Sequence, residues 1–424
     1  MGNTLHKCSY SFFLDRAAYK GYNRVVKVLL KKEGIQVNEV NKYGETPLMV
    51  AASEGHSKIV HLLLKKKEIQ VNQVDTKGRT PLDWATYNGH AKVVKMLLNK
   101  EGLNVNQVNG DKETPLLVAV REGNDEMVKL LLENEDTQVN QGDKKGYTPL
   151  DWAAYKGYHK IVKLLLEKEG TQVNTVNRRG NSPLIVAVHE GHAKVVKLLL
   201  DKDEIHVNKA DKYGRTPLDM AVYKGYYQIV KLLLNRDGIN INLANKYGQT
   251  PLLVSAMEGQ DKIVKLLLEK EEILVNQEED TGATPLFIAA ELGYDEVAKI
   301  LLEKDGIEVN KADNAGQTPL LVSAQEGHDK IVNLLIEKEE IQVNQEEETG
   351  ATPLFIAAER GCDKVVKMLL RKDGIEVNKA DNVGDTPISV AAAYRHGKVV
   401  DLLLGTDEIK ALGWNGWRPN ATPA

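Results

Sequence analysis

What the chain has little of narrows its class before any motif is considered. Two cysteines among 424 residues, Cys8 and Cys362, cannot make a disulfide framework. That favours a reducing, cytosolic setting over a secreted one. Aromatic residues are 5% of the total, with four Phe and four Trp, so a core has to be assembled from Leu, Val, Ile and Ala. With 13 Pro and 34 Gly the composition is far from collagen-like. No apolar run approaches the ~20 residues that cross a bilayer. The N-terminal apolar stretch from Tyr10 to Leu14 is too short for a signal-peptide core and runs into Asp15 and Arg16. The remainder is ordinary, 42% hydrophobic and 27% charged, and too apolar for a disordered chain. Length alone, at about 150 residues per domain, suggests about three globular domains.

The formal net charge of −4 conceals a split. Residues 1–248 carry 38 Lys and Arg against 28 Asp and Glu, a balance of +10, while residues 249–424 carry 18 against 32, a balance of −14. Such a separation bears on the choice of partner more than on the fold.

An internal repeat replaces the estimate from length. The step Thr-Pro-Leu recurs at Thr46, Thr80, Thr114, Thr148, Thr216, Thr250, Thr284, Thr318 and Thr352, and Ser182-Pro183-Leu184 and Thr386-Pro387-Ile388 complete a series with a constant period of 34 residues. A Val-Asn step keeps the same phase from Asn38 to Asn378, with Ile241 replacing Val once. Each unit reads as two helices. Thr46 suits an N-cap and Pro47 the first helical position, where its missing N–H costs nothing. Gly55 ends the first helix, and Ile59, Val60, Leu63 and Leu64 form the apolar stripe of the second. One such pair cannot bury its own apolar face, so the chain reads as a single quasi-linear array stabilised by neighbours.

The pattern Gly-x-Thr-Pro-Leu-x-x-Ala, then Gly-His, then Val-Val-Lys-Leu-Leu-Leu, then Val-Asn, resembles the ankyrin repeat over about residues 7–410. The resemblance implies an all-α solenoid of stacked helix–turn–helix units with β-turn fingers. It also implies protein recognition through the fingers and the concave helix face, without catalysis. Residues 7–40 read as an N-terminal capping repeat, 41–404 as ten to eleven repeats in one array, and 405–424 as a C-terminal cap or tail. The chain departs from the family in its period, 34 rather than 33. The family's His after Thr-Pro-Leu is replaced by Met49, Asp83, Leu117, Asp151, Ile185, Asp219, Leu253 and Phe287. Lys112 stands for a turn Gly and Arg395 for a helix-ending Gly. Copies also alternate between Leu-x-Val-Ala and Leu-Asp-Trp-Ala forms, and residues 249–316 and 317–384 differ at only 13 of 68 positions.

Most polar groups are explained by the repeat. Lys95, Lys129, Lys163, Lys197, Lys231, Lys265, Lys299 and Lys367 share a position opposite the apolar stripe and read as a solvated face. Asp83, Asp151 and Asp219 sit at the third helical position, where a carboxylate can reach the cap N–H. His56, His90, His192, His328 and His396 exchange with Asn124, Tyr158, Gln260 and Cys362, which a metal site would not tolerate. Neither a phosphate-binding Gly-rich loop nor a nucleophile or Cys-x-x-Cys motif is present. No catalytic residue, metal or cofactor is therefore expected. Gly2 and Cys8 nearly fit an acylation signal, Asn420 heads a sequon in form only, and Trp414 and Trp417 lie beyond the last repeat, where covering the end of the stack competes with partner binding.

In the geometry that the resemblance implies, residues flanking each turn Gly and those before each helix-ending Gly face the concave side. The basic half places there Tyr87, Lys144, Lys145, Tyr147, Tyr155, Lys156, Arg178, Arg179, Tyr213, Arg215, Tyr223, Lys224, Lys246 and Tyr247, rich in the Tyr and Arg of interface hot spots. The acidic half places there Glu278, Glu279, Asp280, Glu291, Glu326, Glu346, Glu347, Glu348 and Glu359. The expected function is that of a monomeric, cytoplasmic scaffold, with the nucleus as the other compartment, binding a protein that presents acidic or phosphorylated segments. The alternative is a nucleic-acid or membrane-associated adaptor using the basic half. The acidic half and the lack of a groove-entering element weigh against nucleic acid, and membrane attachment depends on the incomplete acylation signal.

Overall fold

A computed structural model describes residues 4–411, with side chains from residue 10 onward except residue 11. Gly2, the Cys8 side chain, Trp414, Trp417 and Asn420 lie outside the described residues. Among the described residues there are 25 helices and no strand. An opening pair, Thr4–Tyr19 and Asn23–Leu29, is followed by eleven pairs in phase with the Thr-Pro-Leu step, from Pro47–Ser53 and Ser57–Leu64 to Pro387–Ala393 and Gly397–Leu404, and by a last turn, Asp407–Ala411.

The first helix of each pair starts where the sequence dictates. The side-chain oxygen of Thr46 accepts the N–H of Met49 at 3.2 Å, and Pro47 supplies a preset first residue. A cap of this kind is worth about 1 kcal/mol. The second helix usually lacks a side-chain cap, and the residue before it reaches backwards instead. His56 Nε2 lies 3.1 Å from the carbonyl of Tyr19, His90 Nε2 2.9 Å from that of Ser53, and His192 Nε2 3.1 Å from that of Tyr155. Where Asn124 replaces His, it caps its own helix through the N–H of Met127. The exchange of His for Asn in that repeat therefore has a structural reason.

The chain divides into two compact units, Met1–Lys212 and Tyr213–Ala424. Inside each, first helices pack on the first helices of the neighbouring pair and second helices on second helices, giving two layers. Leu48, Ala51, Ile59, Val60 and Leu63 are buried between them, as are their counterparts in later pairs. Burying each Leu or Ile contributes roughly 1.5–3 kcal/mol, and the surfaces that bury it belong to the next pair.

Between pairs the chain forms a finger-like turn. Asn41 Oδ1 accepts the N–H groups of Tyr43 at 2.9 Å and Glu45 at 3.1 Å, and Asp143 does the same for Lys145 and Tyr147. Successive fingers are joined through the backbone, as from Thr76 N to Tyr43 O at 3.2 Å and from Arg178 N to Lys145 O at 3.2 Å. This close approach explains Gly44, whose φ is +75° and where a Cβ would lie 2.9 Å from the backbone N of Thr76. Lys112 and Arg395 replace Gly at equivalent points and are held at φ 61° and 63°.

Candidate functional site

The first unit gathers its aromatic and cationic candidates at finger tips and at the ends of first helices. Lys144 and Lys145 are exposed on the tip that Asp143 organises, and Arg178 and Arg179 are exposed on the next tip. Tyr87 ends the helix Pro81–Tyr87, and Tyr155 and Lys156 end the helix Pro149–Lys156. All three are exposed. Tyr147 is half-buried because its ring packs on Trp152, centroids 5.6 Å apart. Trp152 meets Tyr155 edge-on at 5.7 Å and donates its indole N–H to Asp143 Oδ2 at 3.1 Å. One finger residue thus fixes both the turn and an aromatic trio. Burial holds the Tyr147 hydroxyl above its ordinary pKa, and the charge of Arg179 acts in the opposite direction.

Cations lie on the same helix end and on the fingers beside this trio. Lys156 Nζ is 5.5 Å from the Tyr155 ring centroid. Lys144 pairs with Asp111 at 3.1 Å, whereas Lys145, Lys156, Arg178 and Arg179 have no ion pair among the described residues. The same frame two repeats earlier is filled differently. Arg79 lies 3.7 Å over the ring of Trp84 and pairs with Asp75 at 2.8 Å. Arg121 pairs with Glu113 across the adjoining cavity of about 250 Å³.

The carboxyls of Asp83 and Asp151 belong to the helix starts. Asp83 Oδ2 accepts from Thr80 N at 2.8 Å and Asp151 Oδ2 from Thr148 N at 2.9 Å. Both are buried, and the desolvation pushes each pKa up to about 7, against the lowering effect of these hydrogen bonds.

The model for ankyrin repeats matches residues 14–109, 101–177, 169–245, 237–313, 306–381 and 350–412, nearly the whole chain. The protein belongs to the ankyrin-repeat family. Many solved structures match the chain, 551 chains in all. One is the crystal structure of EF0377, an ankyrin repeat protein 32% identical, covering 47% of this chain and 100% of that one, with a TM-score of 0.43. No curated protein matches the chain. Ankyrin repeats are generally modules of protein–protein interaction and generally non-catalytic. Among the described residues no helix is long and apolar enough to cross a membrane, and no group of three or more His, Cys, Asp or Glu could hold a metal ion.

In the second ankyrin unit Tyr213, Tyr223, Lys224, Lys246 and Tyr247 are exposed, while Arg215 is half-buried with its guanidinium 4.9 Å from the Tyr213 ring centroid. The acidic residues there are less available than a surface list suggests. Glu278 pairs with Lys311 at 2.7 Å and Glu346 with Lys379 at 2.9 Å. Glu347 Oε1 accepts the N–H of Thr349 at 3.0 Å and its hydroxyl, and Glu279 holds the hydroxyl of Thr281 and the amide of Gln249. Glu347, which also accepts the N–H of Ala351 at 3.3 Å, serves its finger as Asn41 and Asp143 do elsewhere. Glu291, partly buried and facing Glu326, Asp313 and Glu279, has a raised pKa.

The residues that sequence reasoning left out are Trp84, Trp152, Arg79 and Asp143. The signal was present in the Leu-Asp-Trp-Ala form of the repeat. Trp84 and Trp152 follow the third-position Asp of their helices and are half-buried rather than buried in the inter-repeat layer.

Proposed function

We propose that the chain is a non-catalytic binding scaffold whose partner docks on the finger tips and first-helix ends. The observation that carries this reading is the trio Tyr147, Trp152 and Tyr155, near four cations that have no ion pair among the described residues. A rigid aromatic platform loses little entropy on binding, and its neighbours supply charge-assisted hydrogen bonds. The partner on this reading presents acidic or phosphorylated segments. In the second unit Tyr213, Tyr223, Lys224 and Tyr247 offer a surface of the same composition. Residues 7–40 act as the N-terminal cap, 41–404 as the repeats and 405–424 as the C-terminal tail, in a monomer working in the cytoplasm.

The test is affinity capture with the full chain, identification by mass spectrometry, and titration of the purified partner. Tyr155→Ala and Arg179→Ala should each weaken binding about tenfold or more with the melting temperature unchanged. A partner bound equally well by both variants would overturn this assignment.

A further inference from the structure

The second-helix face of the first repeats carries a feature that the finger surface does not involve. In three later repeats, the lysine at the second position of a second helix pairs with the aspartate opening the second helix of the preceding repeat. Lys160 lies 4.0 Å from Asp125, Lys330 2.8 Å from Asp295 and Lys364 3.4 Å from Asp329. The same register would pair Lys58 with residue 23 and Lys92 with residue 57, but Asn23 and Ser57 stand there. Lys58 and Lys92 are exposed and have no ion pair among the described residues, and the same holds for Arg24 and Lys27 on the neighbouring helix. A lysine in water needs no partner, so these cations alone mark nothing. They surround, however, a recess of about 520 Å³ between the helices Asn23–Leu29, Ser57–Leu64 and Ala91–Leu98. Half-buried Leu62 and Met96 contribute its apolar surface, and among the described residues no acidic side chain lines it.

We propose that this recess is a docking site for an acidic protein segment bearing one large apolar side chain. The volume lies within the ~300–1,000 Å³ of sites that enclose a ligand group, enough for a Leu or Phe side chain against Leu62 and Met96. Carboxylates on either side of that anchor reach Lys58, Lys92, Arg24 and Lys27, which have no ion pair among the described residues. Charge complementarity sets orientation and association rate, and the buried anchor holds the complex. A nucleic acid would meet the cations but brings no aliphatic side chain to the recess, and a planar bilayer cannot follow its contour.

The chain supplies its own test. Asn23→Asp with Ser57→Asp would install two ion pairs of the kind that later repeats use, at helix starts where an aspartate is favourable, and so halve the net charge of the four cations around the recess without disturbing the fold. The probe is a fluorescein-labelled peptide, Asp-Glu-Glu-Leu-Phe-Glu-Glu-Asp, followed by anisotropy with the full chain. Saturable binding is expected, weakened at least tenfold by the double substitution. Replacing Leu and Phe of the probe by Ala, or its acids by their amides, should weaken it as much. Tyr155→Ala and Arg179→Ala should leave it unchanged, which separates this site from the finger surface. The proposal is overturned by binding that ignores the double substitution, by absence of saturable binding, or by loss of binding in Tyr155→Ala. Oligouridylate or phosphatidylserine vesicles that occupy the face more tightly than the peptide, with the same sensitivity to the double substitution, would overturn it as well.

Discussion

The side-chain amide of Asn106 donates to the carbonyl of Asp136, 2.7 Å away and 30 residues further on, while its Oδ1 accepts the N–H of Gln138 at 2.8 Å. One carboxamide thus bridges the loops that follow two successive second helices. Asn72 makes the same pair of bonds to Gly102 and Asn104, and Asn310 to Glu340 and Gln342. The phase of the Val-Asn step follows, because Val105 buries its side chain in the layer while its neighbour turns outward to the next loop. Asn106→Ala should cost about 1–2 kcal/mol. Hydrogen exchange at Gln138 should accelerate well before exchange in distant repeats, since the lost contact joins only two neighbours.

The buried carboxyls of Asp83 and Asp151 make stability depend on pH. Each holds its proton to about pH 7 when folded, against an ordinary carboxyl value of 3.8. Between these values the folded protein binds more protons than the unfolded chain, so stability falls as pH rises through the window and levels off above it. The shift corresponds to at most about 4 kcal/mol per group. Asp83→Asn and Asp151→Asn retain an acceptor for the cap N–H and remove the charge. Their melting temperatures should exceed that of the unaltered protein at pH 8 and converge with it near pH 4.

Lys112 and Arg395 occupy left-handed backbone that costs a non-glycine residue roughly 1 kcal/mol. Lys112→Gly and Arg395→Gly should therefore stabilise their repeats by up to about that amount, offset in part by the added freedom of the unfolded chain. The reverse change is costly where a neighbour is close. At Gly157, with φ +72°, a Cβ would lie 2.7 Å from the ring of His192, which itself approaches Tyr155 O. Gly157→Ala should lower the unfolding midpoint by more than Gly170→Ala, where φ is +82° but no atom lies within 4 Å.

Helix starts, helix ends and the Val-Asn phase were legible because each is fixed by residues that recur every 34 positions. Lys112 and Arg395 stood out for the same reason, as breaks in a strict series. The candidate site was less legible, since it depends on which of two neighbours captures a shared partner. Asp75 is taken by Arg79, whereas Asp143 two repeats later accepts the indole N–H of Trp152, because Tyr147 stands where Arg79 did. In the sequence Glu347 reads as surface charge, yet it accepts the finger N–H groups of Thr349 and Ala351. A glutamate can organise a turn as an Asx residue does, but its extra methylene hides that role in the sequence.

The trio at Tyr147, Trp152 and Tyr155 yields the most direct prediction for binding. Trp152 is held by Asp143, so Asp143→Ala removes the acceptor of the indole and of two finger N–H groups together. Its effect on a partner would mix lost structure with lost contact. Tyr155 is 40% exposed and touches Trp152 only edge-on, so Tyr155→Ala removes contact surface and little packing. Arg179 donates only its backbone N–H to the finger, to Asn177 Oδ1 at 2.9 Å, which leaves its guanidinium for a ligand. Truncating either at the centre of an interface should cost on the order of 2 kcal/mol of binding energy. Because the cations are exposed, that affinity should also fall as salt is raised from 50 to 300 mM, a range that shortens the screening length from about 14 to about 6 Å. Glu347→Ala should behave in the opposite way, loosening its own finger and leaving affinity intact. Should Glu347→Ala weaken an identified partner while Tyr155→Ala and Arg179→Ala do not, recognition belongs to the acidic repeats and the aromatic platform serves the fold alone.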